Sequence, residues 1–488
     1  MTASSERPAI VWFRRDLRLH DHPALVAALA AHPSVVPVFV LDEALLEGRW
    51  PAANRVWWML GALRDLAAAL EARGGRLVVR RGRPARVLPE LVAELGVTDV
   101  YVSRDHTPYG RTRDRAVAEA LAGIGATMHA KRGNLVHEPD EVATADGGRY
   151  VVFSPFRRTW ERLPVREPLQ APERIVVPAA GVDGSPLDPG RLPAAAELGA
   201  VPTADTSLLP EPGETAARAR LERWVRSGSD RLDGYAERRN LLGLDGTSRL
   251  SADLRWGTLS PTEVLVRSAR DGDGSRIFAS ELAWREFYAH VLWHEPRVLG
   301  EPFDRRYATL PWRDDPEGVA AWREGRTGVP VVDAAMRQLL DSGWMHNRAR
   351  MIAASFLTKD LLVDWRVGER HFMEHLVDGD VASNNGGWQW TASTGTDPQP
   401  YFRVFNPVTQ GKRFDPDGAY VRRWVPELAG VPIERVHEPW TMPPDEQDAV
   451  GCRIGRDYPA PIVDHGAARD RALAVYAATR DGSPPPSR

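Results

Sequence analysis

Ala9-Ile-Val-Trp-Phe13 and Val35-Val-Pro-Val-Phe-Val-Leu41, with the Ala/Leu-rich segment His22–Ala31 between them, decide the fold of the first part of the chain. Two short β-branched runs separated by a helical pattern read as a βαβ unit. The alternation then continues. Asn54–Arg73 is a long amphipathic helix closed by Gly74-Gly75, and Arg76–Arg81, Pro84–Leu95, Asp99–Ser103 and Arg111–Gly123 follow. Residues 1–132 are therefore predicted to form a doubly wound, Rossmann-like parallel sheet. No G-x-G-x-x-G follows the first strand, so the dinucleotide fingerprint is absent. A ligand of this domain is expected at the carboxyl ends of the strands.

The pattern changes after this domain. Residues 133–214 read as an interdomain linker, rich in Pro, Gly and Ala from Pro164 onward. That is long for a loop, so it is predicted to pack along the surface. Residues 215–480 read as an all-helical domain. The candidate helices are Thr215–Ser227, Ser260–Arg270, Ser275–His294, Gly318–Glu324, Val329–Ser342, Asn347–Leu362 and Gly368–Val377. Residues 481–488, rich in Pro, read as a disordered tail. No internal repeat is visible.

Composition sets the bounds. The 488 residues are 43% hydrophobic and 26% charged, which excludes wholesale disorder, collagen and coiled coil. No apolar run approaches the ~18 residues of a membrane span, and the start lacks a secretory pattern. The single cysteine, Cys452, excludes an intrachain disulfide and any cluster held by several thiolates of this chain. A reducing cytoplasm is the expected compartment and a monomer the expected state. Net charge is −3, so the chain as a whole is not a basic nucleic-acid binder. Of its 63 basic residues only Lys131, Lys359 and Lys412 are lysine. Its 17 Trp exceed Phe and Tyr, and most fall between Trp224 and Trp440.

Several segments carry candidate chemistry. His371-Phe-Met-Glu-His375 matches the H-x-x-E-H pattern of inverted zinc peptidases. Nothing downstream supplies an obvious third ligand, so no metal is assigned. Asp378-Gly-Asp380 opens like a calcium loop, but Ala382 and Gln389 break it. Helical spacing in Glu281-Leu-Ala-Trp-Arg-Glu-Phe-Tyr288 puts Glu281, Trp284, Arg285 and Tyr288 on one face, a mixture that suits a pocket wall. Trp344, Asn347 and Met351 share a second face, flanked by Arg348 and Arg350. Gly243-Leu-Asp-Gly-Thr-Ser-Arg-Leu-Ser251 offers backbone N–H groups and hydroxyls to a diphosphate, or is simply a capped turn. Asn384-Asn-Gly-Gly-Trp-Gln-Trp390 reads as too Gly-rich for a helix core and too Trp-rich for a plain loop.

Taken together, these residues resemble the photolyase/cryptochrome family over nearly the whole chain. Thr327-Gly-Val-Pro-Val-Val-Asp-Ala-Ala-Met-Arg-Gln-Leu339 looks like one family signature. The run from Asn347 to Trp365 looks like the second. Asp378-Gly-Asp380, Trp388-Gln-Trp390 and Tyr401-Phe-Arg-Val-Phe-Asn-Pro407 follow in the family's order. The Trp344-Met-His-Asn347 pattern looks most like class I cyclobutane-pyrimidine-dimer photolyases of bacteria.

The resemblance implies an α/β antenna domain, a helical FAD domain, and light-dependent repair of ultraviolet-damaged DNA. Excited reduced FAD would pass an electron to a flipped-out cyclobutane dimer, the ring would split, and the electron would return. It assigns the flavin to Tyr235, Thr247, Ser248, Arg249, Leu250, Ser251, Phe278, Glu281, Arg285, Trp344, Arg350, Asp378, Gly379, Asp380 and Asn384. The lesion falls to Glu281, Trp284, Asn347 and Met351. DNA contacts extend to Arg239, Arg285, Tyr288, Arg348 and Arg403. Trp312, Trp365 and Trp388 match the family's electron relay. Arg14 and Asp105 are candidate antenna residues, with 8-hydroxy-5-deazaflavin favoured over folate because Tyr109-Gly110 replaces the folate-type Asn-Glu pair. The rival readings are a cryptochrome-like photoreceptor without repair activity, a light-independent flavoprotein, and a plain DNA-binding module.

Overall fold

The computed structural model describes residues 7–48, 52–397 and 404–480. Five parallel strands form one sheet in the order β3-β2-β1-β4-β5: β1 Ala9–Phe13, β2 Val35–Asp42, β3 Val78–Gly82, β4 Asp99–Ser103 and β5 Thr127–Lys131. Helices at Pro23–Ala31, Ala53–Glu71, Pro84–Leu95 and Pro108–Ala122 make the crossovers. Every residue of β1 and β2 is buried, because helices cover both faces. Alternation sends Val11 and Phe13 into one apolar layer and Ile10 and Trp12 into the other. Pro37 lies inside β2 without breaking it. It pairs with Val11 of β1, and β3 joins only from Val38 onward, so no ladder bond to β3 needs its missing N–H.

The segment read as a linker runs over this sheet. Val35 N donates to Val176 O at 2.8 Å, and Ile175 is fully buried beneath the sheet's helices. Val79 N, on the β3 edge, donates to Pro189 O at 2.7 Å. The connection thus covers an edge that would otherwise present unpaired backbone. It also holds a helix, Phe153–Trp160, that the sequence reading took as part of the linker. Phe153, Phe156 and Trp160 point into the helical domain's core.

The remaining chain is helical, from Glu214–Val225 to His465–Arg480. Two expectations are corrected. Asn347–Leu362 is not one α-helix: it is α-helical to Ser355, then a π-turn at Phe356–Asp360. That turn buries Lys359, whose Nζ donates to Ala392 O at 3.1 Å and Ser393 Oγ at 2.9 Å. Asn384–Trp390 is helix after all, inside Val381–Ala392. Its Gly386 is required by packing, because a Cβ there would fall 2.0 Å from the Tyr288 ring. The glycine lets two helices approach, which outweighs its low helix propensity.

The sheet and the helical region lock together through buried groups. Arg18 donates to Gly257 O at 2.9 Å and Gly133 O at 2.7 Å, and Asn54 Nδ2 donates to His375 O at 2.8 Å. No helix among the described residues is long and apolar enough to cross a membrane.

Candidate functional site

Hydrogen bonds of Arg255 to Gly379 O, Arg285 to Leu254 O and Arg350 to Asp378 join four elements in the helical region: the loop 243–250 with the short helix Ser251–Trp256, the helix Asp273–His294, the helix Asn347–Ser355, and the segment 378–384 that opens Val381–Ala392. Arg350 and Asp378 form the central pair. Arg350 Nη2 lies 2.8 Å from Asp378 Oδ2, while its Nε donates to Met345 O at 2.9 Å. Asp378 Oδ1 is buried with no hydrogen-bond partner. A buried unsatisfied acceptor beside a guanidinium is what a site for a polar ring edge needs. Asn384 donates from Nδ2 to Glu369 O at 3.0 Å, and its Oδ1 is unengaged among the described residues.

Asp380 caps the helix that follows Gly379, accepting from Ala382 N at 3.1 Å and Ser383 N at 3.0 Å. Its other oxygen meets Arg15 at 2.5 Å. Burial pushes its pKa up, but Arg15, Arg255 and Arg285 outweigh burial and hold the carboxyl well below the usual range. In the loop, Thr247 and Ser248 are half-buried, Leu250 is buried and Ser251 is exposed. Arg249 takes a left-handed φ of 54° and lies 4.7 Å over the Trp344 ring. Tyr235 is buried edge-on to Phe278 at 5.6 Å. Burial, then Glu281, raises its pKa and keeps the phenol a donor. Cations and hydroxyls for a diphosphate, with an orphaned acceptor and an amide for a ring edge, are a donor set that fits FAD.

The expected stripe on Asp273–His294 divides. Arg285 turns away and donates to Asn134 O and Leu254 O, both at 3.1 Å. It lines a cleft with Arg15, Asp105 and Asp380 at the junction with the sheet domain. Glu281, Trp284 and Tyr288 stay together. Trp284 stacks on Phe153 with ring centroids 3.7 Å apart and planes 11° from parallel, and Tyr288 lies 5.5 Å from Trp284. Phe153 was missed in the sequence because it lies in the segment read as linker. Its spacing with Phe156 and Trp160, three and seven residues on, was the available signal.

Two adjacent residues tie this helix to the other wall. Arg239 pairs with Glu281 at 2.7 Å, and Asn240 Oδ1 accepts from Arg348 Nη2 at 2.8 Å. Arg348 follows Asn347, which is exposed and donates to Met351 Sδ at 3.9 Å. Arg403 lies outside the described residues.

Trp388 stands one turn after Asn384 on the same helix. Trp388 and Trp365 are buried in one apolar cluster, and half-buried Trp312 packs against it. Trp388 meets Phe372 at 4.9 Å and Trp322 at 6.0 Å, while Trp312 meets Tyr476 at 6.3 Å. In the sheet domain, Arg14 and Asp105 follow β1 and β4, the strands between which the order reverses. Both are engaged by protein: Arg14 by Asp114 and Ser103 O, Asp105 by Arg113 at 3.2 Å and Thr107 N at 3.0 Å. Burial raises the Asp105 pKa, and Arg113, Arg15 and Arg14 more than reverse it.

A parallel-sheet domain joined to a helical domain with this donor set defines a flavin-site protein with an aromatic wall. Family models agree: residues 9–173 match DNA photolyase, and residues 278–478 match the FAD binding domain of DNA photolyase. The chain belongs to the DNA photolyase family. It is 41% identical to the deoxyribodipyrimidine photo-lyase of Agrobacterium fabrum, over 97% of this chain and 98% of that one. With the deoxyribodipyrimidine photo-lyase of Escherichia coli the identity is 39%, over 97% and 99%. A solved class III photolyase from Agrobacterium tumefaciens superposes with a TM-score of 0.90 at 39% identity, covering 98% and 99% of the two chains. A Synechocystis cryptochrome superposes with a TM-score of 0.87 at 30% identity, covering 97% and 100%.

Proposed function

We propose that this chain is a deoxyribodipyrimidine photo-lyase that repairs cyclobutane pyrimidine dimers in ultraviolet-damaged DNA. The observation that carries the reading is the bridge through Arg239 and Asn240. It links Glu281 through the adjacent Arg239 and Asn240 to Arg348, which supports the reading that Trp284 and Asn347–Met351 line one pocket. An aromatic face between groups that can hydrogen-bond pyrimidine edges suits a flipped dimer.

Held by Arg350, Asp378, Asp380 and the Thr247–Ser251 loop, FAD would supply light-driven one-electron chemistry to the dimer. The chain's residues do the rest. Arg350, fixed by Asp378, places a cation where negative charge develops. Thr247 to Ser251 and Tyr235 hold the cofactor, while Glu281 and Asn347 orient the dimer against Trp284 and Met351. Arg239, Arg348 and Arg403 grip phosphates around the flip. Trp312, Trp365 and Trp388 conduct electrons inward from solvent.

In this reading residues 1–132 form the antenna domain, 133–214 the connection and 215–480 the catalytic domain. In the same reading an 8-hydroxy-5-deazaflavin antenna would be held at the strand ends by residues near Arg14 and Asp105, and the enzyme would work as a cytoplasmic monomer. The class I assignment rests on Trp344-Met-His-Asn347. The test is repair of a dimer-containing oligonucleotide under blue light with a dark control. Flavin absorption without repair would favour the photoreceptor reading.

A further inference from the structure

The helix Trp365–His375 carries a cluster that the flavin and DNA reading leaves unused. His371, Glu374 and His375 fall three and four residues apart, so they share one face. One ligand atom from each lies within 4.8 Å of the others. His371 is only 5% exposed, and its Nε2 is buried without a hydrogen-bond partner. Nδ1 of His375 is likewise buried and unpartnered. Two orphaned imidazole nitrogens on neighbouring turns are costly unless something binds them. Glu374 makes no ion pair among the described residues, and it and His375 are half-buried, so the face opens to water. No residue downstream of the H-x-x-E-H motif is needed as a third ligand. Glu374, inside the motif, supplies it.

We propose that His371, Glu374 and His375 bind one zinc ion, with water completing its shell. Two imidazoles and one carboxylate suit zinc, whereas magnesium and calcium prefer all-oxygen sites. The Trp322 ring, 5.4 Å from His371, closes the inner side. The ion braces the turn where the domains meet: Asn54 donates to His375 O at 2.8 Å, and Arg55 to Leu376 O at 3.2 Å.

The test uses the flavin-loaded protein, stripped with a chelator and dialysed against zinc, with elemental analysis and thermal unfolding. The expected result is one zinc per chain, a higher unfolding midpoint with zinc, and no competition by magnesium. His375→Ala and Glu374→Gln should each weaken binding by at least ~10-fold with flavin content retained. Substoichiometric zinc in the wild type would overturn the site. So would unchanged affinity in the His375→Ala, Glu374→Gln double variant, which would place the metal elsewhere. Both of these positions are half-buried, so the test stands even if His371→Ala fails to fold.

Discussion

The Glu281 carboxylate and the Arg239 guanidinium stand 2.7 Å apart, joining a residue assigned to the lesion to one assigned to phosphate. Their side chains are 31% and 22% exposed, so the pair contributes ~0–1 kcal/mol to stability. That is weak enough for both partners to be exchanged for DNA. Arg239→Ala should therefore leave the fold nearly as stable. It should weaken DNA binding and reduce the slope of log affinity against log salt by ~0.9 if Arg239 meets one phosphate. An unchanged slope would remove Arg239 from the phosphate set.

Glu281→Gln should reduce repair per absorbed photon more than it reduces affinity for damaged DNA. Once DNA displaces Arg239, a Glu281 carboxyl that carries a proton can donate its O–H to a pyrimidine carbonyl, and that bond gains strength as the ring takes on negative charge, so its effect falls on the reaction and not on binding. Yield and affinity are measured separately, on enzyme saturated with dimer-containing oligonucleotide. A strong loss of affinity with intact yield would give Glu281 a binding role only.

Trp284→Ala should weaken binding to dimer-containing DNA by ~1–3 kcal/mol, the scale of one aromatic stack on a base. Flavin content should hold. Phe153 backs the other face of that ring at 3.7 Å, so Phe153→Leu should give a smaller loss of the same kind by loosening the angle of Trp284. Equal affinity of the wild type for damaged and undamaged DNA would refute the pocket itself.

Much of this site was legible because its residues act through local spacing. Glu281, Trp284 and Tyr288 recur at helical intervals, and β1 and β2 declare themselves by β-branched runs buried on both faces. What escaped was tertiary. Gly386 reads as a helix breaker until Tyr288 is seen against it. Arg285 follows Trp284 in sequence yet reaches back to Asn134 and Leu254, which no periodicity encodes. Phe153 belongs to the pocket only because its short helix leaves the linker to pack on Phe287. The π-turn at Phe356–Asp360 depends on Lys359 finding Ala392 and Ser393, distant in the chain.

His346 makes the site sensitive to acid. It caps the helix that begins at Asn347, its Nδ1 accepting from Arg348 N at 3.1 Å, and only an unprotonated nitrogen can do so. Burial first, then Arg348, Arg350, Arg249 and Arg239, lower its pKa to about 4. The folded value lies below the unfolded one, so the unfolded chain binds more protons between about 6.5 and 4. Stability is fully present above that window and falls as pH drops through it, by at most roughly 3 kcal/mol from this group. His346→Asn keeps a capping acceptor without the titration. It should flatten the slope of unfolding free energy against pH in that window, measured by denaturant titration. An identical slope in the variant would assign the acid sensitivity to other buried histidines, such as His290.

The redox wiring gives the last test. Trp388 is 2% exposed, and its Nε1 has no hydrogen-bond partner, so Trp388→Phe forfeits no polar contact. Phe fills most of the same space between Phe372 and Trp322, and the packing loss should stay small. Its ring is far harder to oxidise than indole. Light-driven reduction of the bound flavin by an external reductant should therefore be lost in the variant. Repair by chemically pre-reduced enzyme should hold, because the proposed lesion pocket lies past Glu281 and Asn347 and not past Trp388. Gly368→Ala reaches the same ring from outside. A Cβ there would fall 2.0 Å from the Trp388 indole, so the ring must shift, at a cost of ~1–3 kcal/mol in stability. The two variants separate chemistry from placement: Gly368→Ala should slow the relay with the indole still present, and Trp388→Phe should abolish it. Time-resolved absorption after a blue flash decides. Long-lived flavin reduction at the wild-type level in Trp388→Phe would mean that electrons enter by a route that bypasses Trp388.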